Sequence, residues 1–491
     1  MEGIAGTFGH NDKPLVRAML SKLIHRGPDL GDSHEDDTVT LGARRRSAGP
    51  ADRTKAIAEE NGIAVASDSY FFNREFVRVT VAPGLAATAT DSQLILAMYK
   101  VIGLRLFGYL DGAYSIAIID NGRTILARDR YGLKPLYISG GHDVGAFSSE
   151  IKSQALAGDD FVPFPPGNLF LSGKGYAKIP RKEIPWAPKR VSSQGPEAIA
   201  ELLAESTSSC LQGAQGFNIL LSGGLDSSVV AAAAASVTKN IRTVCVGTRE
   251  SVDLRMARKV AELLGTDHTE RTYDIEAMLE VLDSTIYAAE TFDYPLVRSC
   301  IPNIIATRMF SDKRRPTLCG EGGDEIFAGY DFLLEMKSDE QLTKERRALL
   351  RDGHLTGFQR VDRMTASSSL DGRMPFMSQD IIDYGLSLGR KDLLGGGPEK
   401  NKLALRRAYA KLLPREVIWR RKQRFSDGAG SINSLVGFAE STISDKEFEK
   451  ERKAGPRGRI RTKEELLYYR LFYQHFPSRS AARSVGYTSR P

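Results

Sequence analysis

Seven residues near the middle of the chain have the composition of an anion-binding turn. Ser222-Gly223-Gly224-Leu225-Asp226-Ser227-Ser228 lies between an apolar run at 217–221 and an alanine-rich segment at 227–235. The glycines let the backbone approach a ligand, the hydroxyls can donate hydrogen bonds, and a following helix presents free N–H groups. Asp226 would repel a phosphate unless a cation lies between them, and Mg²⁺ resolves that conflict. The segment therefore predicts a magnesium–polyphosphate site, although the Walker sequence GxxxxGK[ST] is missing.

The segments around this turn change character at lengths typical of strands and helices. Two runs are continuously apolar, as strands buried on both faces are, and two have helical composition or spacing. The apolar runs are 217–221 and 241–247, and the helical ones are 227–235 and 253–265. This alternation predicts a doubly wound α/β domain built on a parallel sheet. Beyond about residue 340 the pattern is helical and charged, so we expect a helical C-terminal part.

The first part of the chain consists of short, β-rich runs. The runs 112–120 and 123–129 are joined by Asn121-Gly122, the dipeptide that best fits a two-residue type I′ hairpin. The segment 91–103 has a helical pattern. We therefore predict an antiparallel α+β domain before the parallel-sheet domain.

Four prolines and a run of charges between residues 180 and 197 interrupt the pattern, because neither a helix nor a central strand can propagate through them. We predict a first domain at 1–185, a linker at 186–198 and a second domain at 199–478. The remaining residues, 479–491, are rich in Arg and Ser and are predicted to form a disordered basic tail.

Three further motifs accompany the phosphate loop. GEGGDEIFAGY spans 320–330, WRRKQRFSDGAG spans 419–430 and contains Lys422, and ETFD at 290–293 leads to Arg298. The phosphate loop resembles the pyrophosphate-binding motif of the N-type ATP pyrophosphatases. The three other motifs resemble segments of the asparagine synthetase family, type B.

Motifs of the first domain resemble the glutaminase domain of the same family, which is of the N-terminal nucleophile (Ntn) type. They include HRGPD at 25–29, the ARD at 127–129 with the KPLY at 134–137, and SSEIK at 148–152. The resemblance thus covers nearly the whole chain. It implies an Ntn-hydrolase-like αββα sandwich followed by an α/β ATP-pyrophosphatase domain.

The resemblance also implies an activity. A carbon–nitrogen ligase of asparagine or other amino-acid biosynthesis would use ATP and Mg²⁺ to adenylate a carboxylate, aspartate or an analogue, and would release AMP and pyrophosphate. An amine or ammonia would then form the amide. Small molecules are the implied partners, and a homodimer is compatible with the family.

The family motifs imply a role for each site residue. Lys422 would stabilise charge at the α-phosphorus, and Glu321 would serve as base or proton relay; these are the catalytic residues. Arg298 and Asp371 would bind the acceptor substrate, although Arg298 could instead anchor a neighbouring helix. Asp226 and Asp324 would hold the metal. The residues implied to bind ATP are Leu220, Ser222, Gly223, Gly224, Asp226, Ser227, Ser228, Val246 and Gly320.

The first domain departs from the glutaminase pattern at the residues that would hydrolyse glutamine. Glu2 stands where glutamine-dependent members have a nucleophilic cysteine, and a carboxylate is a poor nucleophile towards an amide. The segment 68–73 reads DSYFFN where the family has NGEIYN, although Arg45 and Asp91 keep their places. The sequence therefore predicts a degenerate glutaminase site and the use of ammonia or an amine instead of glutamine.

Three other functions remain open at this point. A β-lactam or carbapenam synthetase, which closes an amide within one molecule, has the same plan; Glu321 favours asparagine synthetase, because those relatives have Tyr there. Changes at 371–378 and at Pro295 leave aspartate itself unassigned. The other two alternatives are a tRNA-modifying pyrophosphatase and a catalytically silent binding protein.

Composition indicates which partners, cellular compartment and cysteine chemistry to expect. The 491 residues contain 68 Lys and Arg against 61 Asp and Glu, a net charge of +7 that lies in local clusters, so we expect no nucleic-acid partner. With no long apolar stretch and no leader-like start, a cytoplasmic protein is expected. The four cysteines form no CxxC pair, which predicts neither a disulfide nor a zinc site.

Overall fold

The computed structural model describes residues 2–47, 49, 52, 54–180, 195–396, 401–420, 432–455 and 460–488. Most of the predicted linker 186–198 lies outside these residues, and its last three positions already belong to a helix that begins at Pro196. No helix in the described part of the chain is both long and apolar enough to cross a bilayer.

The first half of the chain folds into two stacked antiparallel sheets. One has the strand order β10-β8-β9-β1-β3-β2, and the other β12-β11-β7-β6-β5-β4. The strands are β1 (Glu2–Phe8), β2 (Leu30–Glu35), β3 (Val39–Arg45), β4 (Ala58–Glu60), β5 (Ile63–Phe71), β6 (Gly112–Asp120), β7 (Arg123–Arg128), β8 (Tyr137–Gly140), β9 (Gly145–Ser148), β10 (Phe161–Pro163), β11 (Asn168–Leu171) and β12 (Gly175–Lys178).

Helices cover the outer faces of both sheets. Strand β6 shows why four layers form: Ala117 and Ile119 face the core between the sheets, whereas Ile116 and Ile118 face the core under α3. The helices are α1 (Lys13–Ser21), α2 (Arg74–Val81), α3 (Asp91–Ile102), α4 (Leu106–Tyr109) and α5 (Ile151–Gln154). This is the αββα sandwich that the sequence predicts, and α3 is the helix expected at 91–103.

The predicted hairpin is present between β6 and β7. Asn121 and Gly122 have φ angles of 49° and 80°, as both central residues of a type I′ turn require. Local sequence therefore fixes this connection.

The second half is built on a five-stranded parallel sheet with the order β15-β14-β13-β16-β17. Its strands are β13 (Phe217–Leu220), β14 (Ile241–Gly247), β15 (Asp267–Thr272), β16 (Thr317–Leu318) and β17 (Gly372–Arg373). Along β14, Ile241 and Cys245 pack into one core and Val244 and Val246 into another. Both faces of the sheet are thus buried, which confirms the doubly wound α/β prediction.

Helices surround this sheet and form the C-terminal part. They are α6 (Pro196–Ser209), α7 (Leu225–Val237), α8 (Val252–Leu264), α9 (Ile275–Ala289), α10 (Tyr294–Arg308), α11 (Gly323–Ile326), α12 (Asp339–Asp352), α13 (Gly357–Ser367), α14 (Gln379–Ser387), α15 (Arg390–Leu393), α16 (Leu403–Tyr409), α17 (Arg415–Ile418), α18 (Ile432–Thr442), α19 (Asp445–Ala454), α20 (Lys463–His475) and α21 (Arg479–Ser484).

The prediction of a disordered tail is wrong for residues 479–488. Ser478 caps α21 by accepting a hydrogen bond from the Ala481 N–H, and Ala481 is fully buried. The Ser480 hydroxyl donates to the Asp159 carbonyl at 2.6 Å, which ties this helix to the N-terminal domain. Composition misled the prediction because the small residues of RSAARS allow close packing as readily as disorder.

Candidate active site

The phosphate loop follows β13 and leads into α7, as the sequence predicts. Gly223 has a φ of 66°, and a Cβ at this position would lie 2.5 Å from the Ala257 amide nitrogen, so only glycine fits. The Ser222 and Ser227 hydroxyls are 3.0 Å apart, and the Gly224 N–H donates to Ser222 Oγ at 3.3 Å. The loop is therefore held by its own hydroxyls, with the N-terminus of α7 behind it.

The implied nucleotide-binding residues lie together at the carboxyl ends of the central strands. Leu220 ends β13, Val246 lies near the end of β14, and Gly320 follows β16. A Cβ at Gly320 would lie 2.8 Å from the Ser227 amide nitrogen, so the 320–330 loop packs directly on the phosphate loop. Ligands of open parallel sheets bind at this edge.

The two predicted metal ligands converge on a cation that sequence reasoning missed. Lys402 Nζ lies 2.5 Å from an oxygen of Asp226 and 2.5 Å from one of Asp324. The lysine side chain is only 3% exposed, yet the two carboxylates outweigh the effect of burial and raise its pKa. Asp226 and Asp324 are thus close enough to share one ion.

Lys402 is held in place by an uncommon backbone conformation. Its φ of 55° lies in the left-handed region, directly before α16. The preceding Asn401 side chain donates to the Gly329 carbonyl at 2.9 Å, and Arg406 donates back to Asn401. No local pattern distinguishes this lysine, because its partners lie far away in the sequence.

Glu321, in the 320–330 loop, lies beside the first turn of α13. Arg360 of that helix forms an ion pair with Glu321, and a Cβ at Gly357 would lie 3.1 Å from Glu321 Oε2. The carboxylate is partly exposed, and the positive end of a helix faces it. Arg360 keeps its charge, because the Glu321 carboxylate overcomes burial and raises the pKa of the guanidinium.

Glu325 has a different environment from Glu321, four residues away. It accepts a hydrogen bond from the Tyr330 hydroxyl at 2.6 Å and is buried. Burial, followed by the Asp324 charge, raises the Glu325 pKa to about 7. This carboxyl group has a structural partner within the 320–330 loop.

The two predicted substrate residues are engaged in ion pairs within the protein. Arg298 binds Glu464 of α20 through two guanidinium nitrogens, and the Tyr468 hydroxyl donates to Glu464 at 2.6 Å. Asp371 pairs with Arg373 at 2.7 Å and lies 3.7 Å from Lys134. Arg298 thus anchors a neighbouring helix, Asp371 has cationic partners, and the role of both residues in substrate binding remains a prediction.

The end of the ETFD segment is held by residues from the last part of the described chain. Asp293 accepts from Arg461 at 2.6 Å and from both the amide and hydroxyl of Thr488, at 3.0 and 2.6 Å. The Arg461 guanidinium lies over the rings of Tyr294 and Tyr487, 4.5 and 3.9 Å from their centroids. We call this set of five residues the Asp293 clamp.

Lys422, the other predicted catalytic residue, lies outside the described residues. Two positions earlier, Arg420 pairs with Asp253 of α8 at 2.6 Å and donates to the Gly223 carbonyl at 3.5 Å. The described segment 401–420 thus ends beside the phosphate loop.

The N-terminal site is filled by its own side chains. Glu2 is opposite Arg45 in the β1–β3 register, with 3.8 Å between Glu2 Oε1 and Arg45 Nε. Arg45 pairs more closely with Asp52, at 2.8 Å, and Asp91 pairs with Arg74 at 2.9 Å. The two charges kept from the family pattern are therefore already neutralised.

Asp68, at the first changed position of the NGEIYN segment, is buried in an ion pair. It accepts from Arg26 at 3.0 Å and from the Glu2 amide at 3.1 Å. The other Glu2 oxygen, Oε2, is buried and has no hydrogen-bond partner among the described residues. Burial accordingly raises the Glu2 pKa to about 8.

A glycine- and serine-rich loop on a parallel sheet, two converging carboxylates and a third carboxylate paired with arginine fit an ATP-dependent ligase of the ATP-pyrophosphatase class. Family comparison agrees: the asparagine synthase family matches residues 198–356 and 339–488, and the glutamine amidotransferase domain matches residues 1–161. The chain belongs to the asparagine synthase family. It is an AMP-forming carbon–nitrogen ligase.

Similar proteins cover the chain almost from end to end. The probable glutamine-hydrolyzing asparagine synthetase of Schizosaccharomyces pombe is 29% identical over 96% of this chain and 91% of its own length. Glutamine-hydrolyzing asparagine synthetase 1 of Arabidopsis thaliana is 29% identical over 99% and 88%.

Two solved structures align with the chain at low scores. NMN synthetase from Francisella tularensis aligns with a TM-score of 0.30 and 13% identity, covering 58% of this chain and 97% of its own. Glutamine phosphoribosylpyrophosphate amidotransferase from B. subtilis gives 0.34 and 13%, covering 56% and 91%. These scores are too low to support a conclusion.

Proposed function

We propose that this ligase adenylates a small carboxylate, aspartate or an analogue, and forms the amide with ammonia or an amine in place of glutamine. The observation that carries the proposal is the convergence of the phosphate loop, Asp226, Asp324 and Lys402 at one edge of the sheet. This edge offers a lysine ammonium and the N-terminus of α7 to a nucleotide polyphosphate, and two carboxylates to a cation that would lie between them and the phosphates.

The pair Asp226 and Asp324 fits Mg²⁺. Both place a carboxylate oxygen 2.5 Å from the Lys402 ammonium, so the two carboxylates can reach one ion. Carboxylate oxygens are the donors that Mg²⁺ prefers. When bound, Mg²⁺ would neutralise negative charge on the polyphosphate. Lys402 would then be free to contact phosphate oxygens, while the backbone of the phosphate loop orients the nucleotide.

Two chemical steps follow from this arrangement. The substrate carboxylate attacks the α-phosphorus of ATP, so that a carbon-bound oxygen becomes joined to phosphorus and pyrophosphate leaves. The amine then attacks the acyl carbon, and AMP leaves. Glu321 is placed to accept the proton that the amine loses, because its carboxylate lies beside Arg360 and is partly exposed.

A screen of carboxylates for ATP–pyrophosphate exchange tests the proposal. Aspartate, its analogues and β-amino acids that could cyclise would be offered singly with Mg²⁺-ATP. Exchange with one of them, followed by amide and AMP formation with ammonium, is the expected result. Absence of exchange with every carboxylate would contradict the proposal, and amide formation without an added amine would indicate an intramolecular ligase.

Glutamine should not serve as nitrogen donor. Glu2 cannot attack the amide, Asp68 is paired with Arg26, and Arg45 and Asp91 are neutralised by neighbours. Glu2→Cys should therefore leave glutaminase activity undetectable, because it restores one atom of a site that is altered throughout. Glutamate release from glutamine is the measurement, with ammonium chloride as the positive control for amide formation. Glutamate released in step with product would contradict this prediction.

Glu2 should make the protein less stable as the pH rises. Its folded-state pKa of about 8 exceeds the ordinary 4.5, so between these values the folded state keeps a proton that the unfolded state has lost. The free energy of unfolding should then fall by up to about 1.4 kcal/mol per pH unit on account of Glu2. Glu2→Gln removes this loss, so its advantage in urea denaturation should grow from pH 5 to pH 8. A difference from wild type that does not change with pH would contradict the prediction.

A further inference from the structure

Ten charged side chains are buried where the N-terminal domain meets the ATP-binding domain. Asp371 is the most exposed of them, at 12% of its side-chain surface. We call this set the interdomain charge cluster. The N-terminal domain contributes Arg26, Asp68, Lys134, Glu150 and Lys152, and the second domain contributes Glu290, Asp362, Arg363, Asp371 and Arg373.

The charges in the interdomain charge cluster balance only when both domains are present. The N-terminal side has three cations and two anions, and the other side has two cations and three anions. Contacts cross the boundary from Arg26 to Asp362, from Lys152 to Glu290 at 2.9 Å and from Glu150 to Arg363 at 2.9 Å. A buried charge that loses its partner destabilises the protein. Separation of the two domains would therefore leave unpaired charges on both sides of the interdomain charge cluster.

One helix connects this cluster to the candidate active site. Asp362 and Arg360 are two residues apart on α13, and at about 100° per residue they project to opposite sides of the helix. Arg360 pairs with Glu321, whereas Asp362 pairs with Arg26 and lies 3.5 Å from Lys134. Any shift of α13 towards or away from the N-terminal domain must therefore move Arg360 relative to Glu321.

We propose that Arg26 is a positioning residue for the ligase reaction, and that the N-terminal domain acts through it to hold α13, Arg360 and Glu321 in register. Arg26 suits this role because it is fully buried and its guanidinium reaches three carboxylates at once, those of Asp68, Glu150 and Asp362. Those carboxylates overcome burial, keep Arg26 charged and raise its pKa. The N-terminal domain, proposed to lack glutaminase activity, would thus still contribute to the ligase reaction of the second domain.

The proposal rests on the proposed function, and a double-mutant cycle on amide formation tests it. Arg26→Met should lower kcat on the order of 10–100-fold, the size expected for a small misplacement of a reacting group, and leave the KM for ATP within about threefold. In an Arg360→Met background, the Arg26 change should cause no further loss, because both act through the same pair. Losses that multiply would overturn the proposal.

A second variant and a matched control separate positioning from general destabilisation. Asp362→Asn keeps the side-chain shape and should reproduce the loss in kcat if Arg26→Met folds poorly. Ile118→Ala removes a fully buried side chain from the core under α3, away from the cluster, and should lower the melting temperature without the loss in kcat. An equal loss of kcat in Ile118→Ala would overturn the proposal.

Hydrogen–deuterium exchange tests the same idea without any substrate. Arg26→Met and Asp362→Asn should increase exchange across 357–367 more than Ile118→Ala does, and increased exchange confined to the N-terminal domain would overturn the proposal. If the wild type shows no ATP–pyrophosphate exchange with any carboxylate, the proposed function fails, whereas the exchange of 357–367 still decides the role of Arg26.

Discussion

Asp226→Asn and Asp324→Asn should each lower Mg²⁺-dependent pyrophosphate release by at least 10²–10³-fold, the order of loss seen when one group that stabilises transition-state charge is removed. Each change removes an anionic oxygen that would bind the metal. The loop backbone should remain intact, because Lys402 keeps the other carboxylate as its partner. Pyrophosphate release by a coupled assay over a range of Mg²⁺ concentrations is the measurement. Turnover near that of the wild type in either variant would contradict the metal assignment.

Lys402→Met provides a companion measurement that needs no turnover. Removing the ammonium leaves Asp226 and Asp324 facing each other, and like charges at close range are unfavourable. Without Mg²⁺, the Lys402→Met variant should therefore melt at a lower temperature than the wild type. Mg²⁺ should raise the melting temperature of the variant more than that of the wild type. If Mg²⁺ has the same effect on both proteins, the lysine and the metal do not share a site.

Glu321→Gln should separate the two half-reactions. Glutamine keeps the shape of the side chain and its hydrogen-bonding capacity but cannot accept a proton. Pyrophosphate release should persist, whereas amide formation should fall by about 10²–10⁴-fold, the range for loss of a general base. Both products would be measured separately, with the carboxylate found by the exchange screen.

Glu325→Gln is the matched control on the same loop. It changes a buried carboxyl group whose described partner is Tyr330, so both half-reactions should continue at rates much closer to those of the wild type. If Glu321→Gln loses both steps together, Glu321 positions the substrate and does not relay a proton. If Glu325→Gln loses amide formation selectively, the roles of the two carboxylates must be exchanged.

The features predicted correctly from the sequence depend on residues close together in the chain. The hairpin at Asn121-Gly122 follows from the turn conformation that this dipeptide favours. The tight turn between β13 and α7 follows from glycines and hydroxyls within seven residues, and the buried parallel strands follow from continuous apolar runs. Each of these has a local physical cause that is visible before folding.

The features that the sequence did not predict depend on long-range contacts. Lys402 meets Asp226 across 176 residues, Arg298 meets Glu464 across 166, and Arg26 meets Asp362 across 336. No period or spacing specifies such pairs, because many other charged residues have the same local surroundings. Lys422 remains a prediction from the family motif.

The Asp293 clamp has a consequence for the order in which the enzyme becomes complete during synthesis. Asp293 leaves the ribosome long before its partner Thr488, which lies 195 residues later in the chain. At 5–20 residues per second, the interval is roughly ten to forty seconds. During that time the N-terminal domain can fold, but the ETFD segment lacks the side chains that close it. Nascent chains interrupted within this interval would therefore be released with a folded first domain and an unfinished ligase.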